Sequence, residues 1–460
     1  MSSQNGGKGF GLLFEMGCGK TLTAIAIMGA LYQRGKVHRA LVVAPTTVVP
    51  VWPEEMEEKA SFQFVAATML GSKSRRMKAY RDMKHAARAN PDALELVSIN
   101  YNEIWRDGIQ ELLEEFHPDM MILDEGHYIK THTSKVSKAA CELGNRAKYR
   151  LLLTGTPVTN RATDLFGEFR YVDQNVYGGN FYRFRNRYCV MGGFQNRQVI
   201  GEKNNEEMVR KLHSVSLRVT KDDALDLPEE TSINRYVELS KSERDIYEQL
   251  RKTGLAELEG ENTITAAIVI TKLLRMQQVC GGFAQLDGED KPRQVGTSKL
   301  DALSEIIQDV VVDGEKKLVV FARFLPEVKA ICDLLEGQHI RHEVIYGEIP
   351  QEQRGEIVQR FQSDPGIMAF VAQIQTAGLG ITLHAASTAV FYSADYNYAN
   401  YAQAMARIHR IGQKQPCTYI NLISRGTVDE NIQEALNTKG SLADGICDHW
   451  KELFIKEDAH

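Results

Sequence analysis

Seven short runs of the chain are apolar at nearly every position rather than at alternate ones: Ala40–Ala44, Met120–Leu123, Arg150–Leu153, Leu318–Phe321, Met368–Val371, Ala389–Tyr392 and Tyr419–Ile423. Continuous apolarity predicts parallel strands covered on both faces. Between them run longer segments with helical spacing. One is Thr21–Tyr32, where Leu22, Ile25, Ala26 and Gly29 share a face. Strands alternating with helices predict an α/β fold. The strands fall into two groups, before about Leu153 and after about Leu318, with a mostly helical, charge-rich stretch between. Gly281–Thr297, with Gly281, Gly282, Asp287, Gly288, Pro292 and Gly296, reads as a loop or hinge. The pattern predicts two α/β lobes with helical insertions.

Composition narrows the class. A length of 460 residues suggests two or three domains, and 43% hydrophobic with 25% charged residues suits a water-soluble chain. The longest apolar runs fall far short of a membrane span, and the N-terminus lacks the regions of a signal peptide. The seven cysteines are widely spaced with no C-x-x-C pair, which argues against zinc and a disulfide framework and for a reducing interior. The formal charge is −5, so any nucleic-acid surface must gather its basic residues locally.

Two motifs carry chemistry. Glu15–Thr21 reads EMGCGKT, follows a short apolar run and opens a helix. Gly17 and Gly19 let backbone N–H groups approach phosphates, Lys20 reaches the β/γ-phosphates, and Thr21 suits Mg²⁺. Phe14 stands where the general pattern has its first glycine. The second motif, Met120–His127, reads MMILDEGH and places Asp124 and Glu125 at the carboxyl end of a strand, the edge where ligands bind in open α/β sheets. Asp124 suits a water-mediated Mg²⁺ contact, and Glu125 suits orientation or deprotonation of an attacking water.

EMGCGKT, APTTVVPVW, LDEGH, LTGTP and QAMARIHRIGQ, in this order from Glu15 to Gln413, resemble the motifs of Swi/Snf-type helicase-like ATPases of superfamily two. Leu227-Pro228, YGEIPQEQR and TVDENI add to the resemblance, and FRNRYC is similar to smaller annealing-type, microbial or phage members. It implies two RecA-like lobes with parallel sheets. Residues 1–235 would form the first lobe, 236–440 the second and 441–460 a helical tail. It implies a DNA-stimulated ATPase using ATP and Mg²⁺ to move along duplex DNA, remodelling it or displacing bound protein. A strand-separating DNA or RNA helicase and a non-hydrolysing scaffold remain alternatives.

The resemblance also implies residue roles. Gly17, Gly19, Lys20, Thr21, Asp124 and Gln403 would bind the nucleotide, with Thr21 and Asp124 serving the metal. Glu125 would act on water, and Arg407 and Arg410 would be arginine fingers from the second lobe, where a bare i, i+3 pair would read as a solvated helix face. His127, Thr154 and Thr156 would couple hydrolysis to movement. Pro45, Thr46, Trp52, Asn100, Tyr101, Thr376, Ala377 and Gly378 would touch the nucleic-acid backbone. Arg183, Arg185 and Arg187, interleaved with aromatics, read either as a nucleic-acid clamp or as a packed insertion. Ala406, Tyr396-Asn397-Tyr398 and Ala377-Gly378 depart from the family pattern. So do the ten residues Met1–Phe10, too few for its upstream glutamine-bearing helix. The implied setting is a monomer in a microbial or phage-infected cytoplasm, off the membrane.

Overall fold

Arg39–Ala44 lies inside a parallel sheet with its residues from Ala40 onward fully buried, as its continuous apolarity requires. The computed structural model describes residues 8–156, 162–192, 198–260, 266–285, 292–379 and 381–447. Residues up to Leu225 and residues Asp226–Thr438 form two compact units. Each is built on its own parallel sheet.

The first unit's strands are β1 (Lys8–Phe14), β2 (Arg39–Ala44), β3 (Phe64–Met69), β4 (Leu94–Asn100), β5 (Met120–Asp124), β6 (Tyr149–Leu153) and β7 (Ser216–Val219). They pair in the order β3-β4-β2-β5-β6-β1-β7, all parallel. Alternate residues feed opposite faces. Leu41, Val43, Val97, Ile99, Met121 and Leu123 enter one core cluster, and Ala40, Val42, Leu96, Met120 and Ile122 the other. Each buried valine, leucine, isoleucine or methionine contributes about 1.5–3 kcal/mol.

The second unit holds β8 (Glu230–Val237), β9 (Leu318–Ala322), β10 (His342–Ile345), β11 (Ala369–Gln373), β12 (Thr388–Phe391) and β13 (Cys417–Ser424) in the parallel order β8-β13-β12-β9-β11-β10. The fold is α/β with two RecA-like lobes. All seven expected strands are present. Two more strands of these sheets, β7 and β8, lie inside the stretch expected to be mostly helical, as do two short antiparallel pairs, Cys189–Gly192 with Gln198–Glu202 and Phe283–Ala284 with Arg293–Gln294. β8 pairs along its whole length with β13, so the second sheet begins at Glu230, and a boundary at 235 would cut this strand.

Other expectations shift. In the helix Lys20–Gln33 the inward residues are Ala24, Ile25, Met28 and Gly29, while Leu22 is 51% exposed and Ala26 is exposed. Gly29 keeps its inward place, where a Cβ would come within 2.6 Å of the Phe62 ring. Within the expected hinge, Phe283–Ala284 pairs antiparallel with Arg293–Gln294, and residues 286–291 lie outside the described residues. The chain ends its described part in one helix, Val428–Cys447, so 441 does not begin a new element; residues 448–460 lie outside the described residues.

The second unit contains a buried polar cluster. Lys299 and Asp429 form a 2.7 Å ion pair, and Lys299 also donates to Tyr392 O. Fully buried Glu327 accepts from the N–H groups of Arg323 and Phe324 and from the Ser393 hydroxyl. Burial pushes its carboxyl up to about 7, despite these donors. The folded value lies above the unfolded one, so this side chain's contribution to stability is complete below about 4.5. It is lost as pH rises through about 7. Glu327→Gln should therefore flatten the pH dependence of thermal unfolding between those values. The loss it removes is at most about 3 kcal/mol, and melting curves at pH 5 and pH 8 measure it. An unchanged slope would contradict this reading of the cluster.

Candidate functional site

The phosphate loop leaves β1 and enters the helix Lys20–Gln33. Gly17 and Gly19 have φ of 90° and 81°, a region that disfavours side chains. Gly19 is the N-cap, with no side-chain cap and no acid in the first turn. The first-turn N–H groups thus lack an anionic side chain of their own. Lys20 Nζ donates to Phe14 O at 3.0 Å and Glu15 O at 3.3 Å.

The loop is braced by a residue that sequence reading missed. Arg218, on β7 and buried, donates to Leu13 O at 3.1 Å, to Gly155 O at 3.3 Å and to Glu15 Oε1 at 2.9 Å. The other oxygen of Glu15 accepts from Lys221 N at 2.9 Å. Gly155 belongs to LTGTP and lies against the loop. A Cβ there would stand 3.2 Å from Phe14 O and 3.4 Å from Lys20 Nζ. Thr154 is fully buried and its hydroxyl accepts from Thr156 N at 3.1 Å, while buried Thr156 Oγ1 has no hydrogen-bond partner among the described residues.

Asp124 ends β5 and is buried. Its carboxyl is pushed up to about 6 by burial and then by the neighbouring Glu125; the Trp52 hydrogen bond and the charge of Lys20 pull it partly back. Lys20 therefore acts on Asp124 although more than a hundred residues separate them. Glu125 adopts φ 54°, left-handed for a non-glycine residue, and Gly126 follows because a Cβ would lie 2.4 Å from Leu152 Cδ1. His127 Nδ1 lies 3.4 Å from Glu125 Oε2. Behind this segment packs the helix Asp164–Val172, whose Glu168 is fully buried with neither carboxyl oxygen hydrogen-bonded among the described residues. Burial, then Asp164, raises that carboxyl well above the usual range.

The expected backbone contacts divide. Thr46 is exposed, Pro45 half-buried, and Asn100 donates to Thr46 Oγ1 at 3.2 Å, bringing together the carboxyl ends of β2 and β4. Trp52 and Tyr101 do not belong with them. Trp52 is fully buried and its indole donates to Asp124 Oδ2 at 2.9 Å. Tyr101 is 2% exposed and its hydroxyl donates to Asp124 O at 2.7 Å. The exposed ring here is Tyr128, stacked on Tyr101 at 4.9 Å.

In the second unit, Thr376, Ala377 and Gly378 lie on the 3-10 turn Ile374–Leu379. Thr376 is buried, its hydroxyl turned back onto Gln373 O at 2.6 Å, so its side chain is not displayed as expected; Gln375 is exposed instead. The helix Tyr398–Met405, carrying buried Gln403, packs on this turn. That helix stops at Met405, so Arg407 and Arg410 sit on a loop and not on a solvated helix face. Specific bonds draw the chain out of the helix. Leu383 N donates to Arg407 O at 2.8 Å, His409 Nε2 meets Pro228 O at 2.7 Å, and His409 Nδ1 meets Glu230 Oε2 at 2.8 Å. Gln413 Nε2 donates to Ala386 O at 2.8 Å and its Oε1 accepts from Lys414 N and Gln415 N. Gly412 has φ 100°. Most of RIHRIGQ thus builds the loop, leaving Arg407 and Arg410 partly accessible.

FRNRYC lies in the helix Phe181–Tyr188 and the residue after it. Phe184 and Tyr188 are buried in the core and Arg187 pairs with Glu207 at 2.5 Å, which favours the packed insertion over the clamp.

Residues 1–282 match the SNF2-related domain, and residues 298–412 match the helicase conserved C-terminal domain. An uncharacterised ATP-dependent helicase of Mycoplasma genitalium is 28% identical over 93% of this chain and 39% of its own length. The DNA repair and recombination protein RDH54 of Saccharomyces cerevisiae is 26% identical over 93% of this chain and 48% of its own. This chain therefore spans between about a third and a half of these curated relatives. The solved Sulfolobus solfataricus SWI2/SNF2 ATPase core in complex with dsDNA is 26% identical, covering 96% of this chain and 88% of that one, with a TM-score of 0.42. With its SNF2-related match over more than half of its length, the chain belongs to the SNF2-related family of helicase-like proteins.

Proposed function

We propose that this chain is an ATP-driven motor that hydrolyses ATP to move along duplex DNA, gripping the sugar–phosphate backbone. One observation carries the reading: Lys20, Asp124, Glu125 and the LTGTP turn meet at the carboxyl end of one parallel sheet. The second unit adds an arginine-bearing loop held in shape by its own motif residues.

The residues fit a magnesium nucleotide. Gly17 and Gly19 hold left-handed backbone of the kind found in anion-binding loops, and a Cβ at Gly19 would stand in open space. Lys20 would neutralise phosphate charge, and Thr21 with Asp124 would hold the metal, which polarises the transferring phosphoryl group. Glu125 would orient the attacking water, and Arg407 and Arg410 would stabilise charge as it develops. Thr154, Thr156 and His127 would link this centre to movement. Pro45, Thr46 and Asn100 on the first lobe, and Thr376, Ala377 and Gly378 on the second, would follow the backbone, the second set through main-chain groups. The chain would act as a cytoplasmic monomer, and no described helix is long and apolar enough to cross a membrane.

Triplex displacement beside forked-duplex unwinding tests the mode. A duplex tracker displaces a third strand with ATP and leaves the fork paired. Unwinding of the fork would favour the strand-separating helicase, and DNA binding without phosphate release would favour the scaffold.

A further inference from the structure

Two buried aromatic residues end on the same acid, Asp124: Tyr101 on its main-chain carbonyl and Trp52 on its carboxylate. The peptide between Asp124 and Glu125 is held at both sides. Its carbonyl accepts from the Tyr101 hydroxyl at 2.7 Å, and its N–H donates to Asp124 Oδ1 at 2.9 Å. The remaining carboxylate oxygen, Oδ2, accepts from the Trp52 indole at 2.9 Å. Directly after this peptide Glu125 takes its left-handed φ of 54°. A non-glycine residue stays there only where its surroundings over-determine it.

We propose that Trp52 and Tyr101 are positioning residues of the acid pair, a two-point clamp that fixes the Asp124–Glu125 peptide and keeps Glu125 aimed. The inference rests on the ATPase reading above. The chemistry of the clamp suits the task. The indole N–H is a donor only, so its direction is unambiguous, and the phenol meets a carbonyl, so it too must donate. Both donors are neutral. They orient the acids without neutralising them, which a lysine or arginine at these positions would do. Trp52 and Tyr101 are closed to solvent, and Tyr128 stacks over Tyr101 on the outer side. Neither can display a side chain to a polymer.

Tyr101→Phe and Trp52→Phe in the full chain remove one donor each while keeping most of the apolar volume. Each should lower kcat by about 10- to 100-fold, with KM for ATP and duplex-DNA affinity unchanged. The double variant should lose less than the product of the two, because both contacts hold the one residue Asp124. A second measurement needs no turnover. The indole N–H resonance of Trp52, assigned by its loss in Trp52→Phe, should move on addition of magnesium and ADP and stay in place with duplex DNA alone. Weakened DNA binding with intact kcat, an unchanged kcat in both variants, or an indole that answers to DNA alone would overturn the clamp. Absence of turnover in the unsubstituted chain would instead count against the ATPase reading, and the indole response would still decide the clamp. Should either variant fail to fold, the indole response of the unsubstituted chain decides, with the Trp52 resonance assigned by exclusion through Trp105→Phe and Trp450→Phe.

Discussion

Arg410→Ala should lower ATP turnover by about 10³-fold or more while leaving ATP binding intact. Phosphoryl transfer needs little covalent help from a protein and much charge stabilisation, which is what an arginine brought up at the transition state supplies. The loop carrying Arg410 is built for rigidity. Gln413 ties it to the carbonyls of His384 and Ala386, and His409 ties it to Pro228 and Glu230. Removing the guanidinium should therefore leave the loop standing. Arg410→Lys should rescue little, because the planar fork is lost although the charge is kept. Turnover equal to the unsubstituted chain in Arg410→Ala would remove the finger assignment.

Lys20→Ala should lower turnover by about 10²–10³-fold, with duplex-DNA affinity unchanged. The ammonium is held by two neutral carbonyls, those of Phe14 and Glu15, so its charge stays available to a phosphate. Its loss also leaves Asp124 with less positive charge nearby, which disfavours the ionised acid a metal needs. Glu125→Gln should be equally inactive but distinguishable. It keeps the cradle, so ATP binding should survive, whereas Lys20→Ala should weaken it. Isothermal titration with a non-hydrolysable analogue separates the two. Loss of DNA affinity in either variant would mean that the acid–phosphate site and the DNA surface are not separate, contrary to this account.

Much of this architecture was legible in the chain because its signals are local. A strand buried on both faces must be apolar throughout, so β2, β5, β6, β9, β11, β12 and β13 announced themselves. The strands that escaped lack that signature for physical reasons. β1 reads KGFGLLF, with glycines that make room for Val172 and Ser216. β8, ETSINRYV, is an edge strand paired only with β13 and mostly exposed, so nothing requires it to be apolar. The phosphate loop and acid pair were visible because their residues are consecutive. Arg218 was not, since it meets Glu15 from 203 positions away. Trp52 and Tyr101 looked like surface contacts because a motif records which residues recur and not which way they point. Only the packing of β2, β4 and β5 turns them inward. The end of the helix at Met405 was hidden likewise, because the bonds that unwind it come from Pro228, Glu230 and Gln413.

The most direct measurement is ATP turnover by the purified chain with no nucleic acid, single-stranded DNA, duplex DNA and RNA, beside Lys20→Ala. The motor account predicts strong stimulation by duplex DNA that the substitution abolishes. Absence of turnover under all four conditions, or equal turnover with and without nucleic acid, would contradict it.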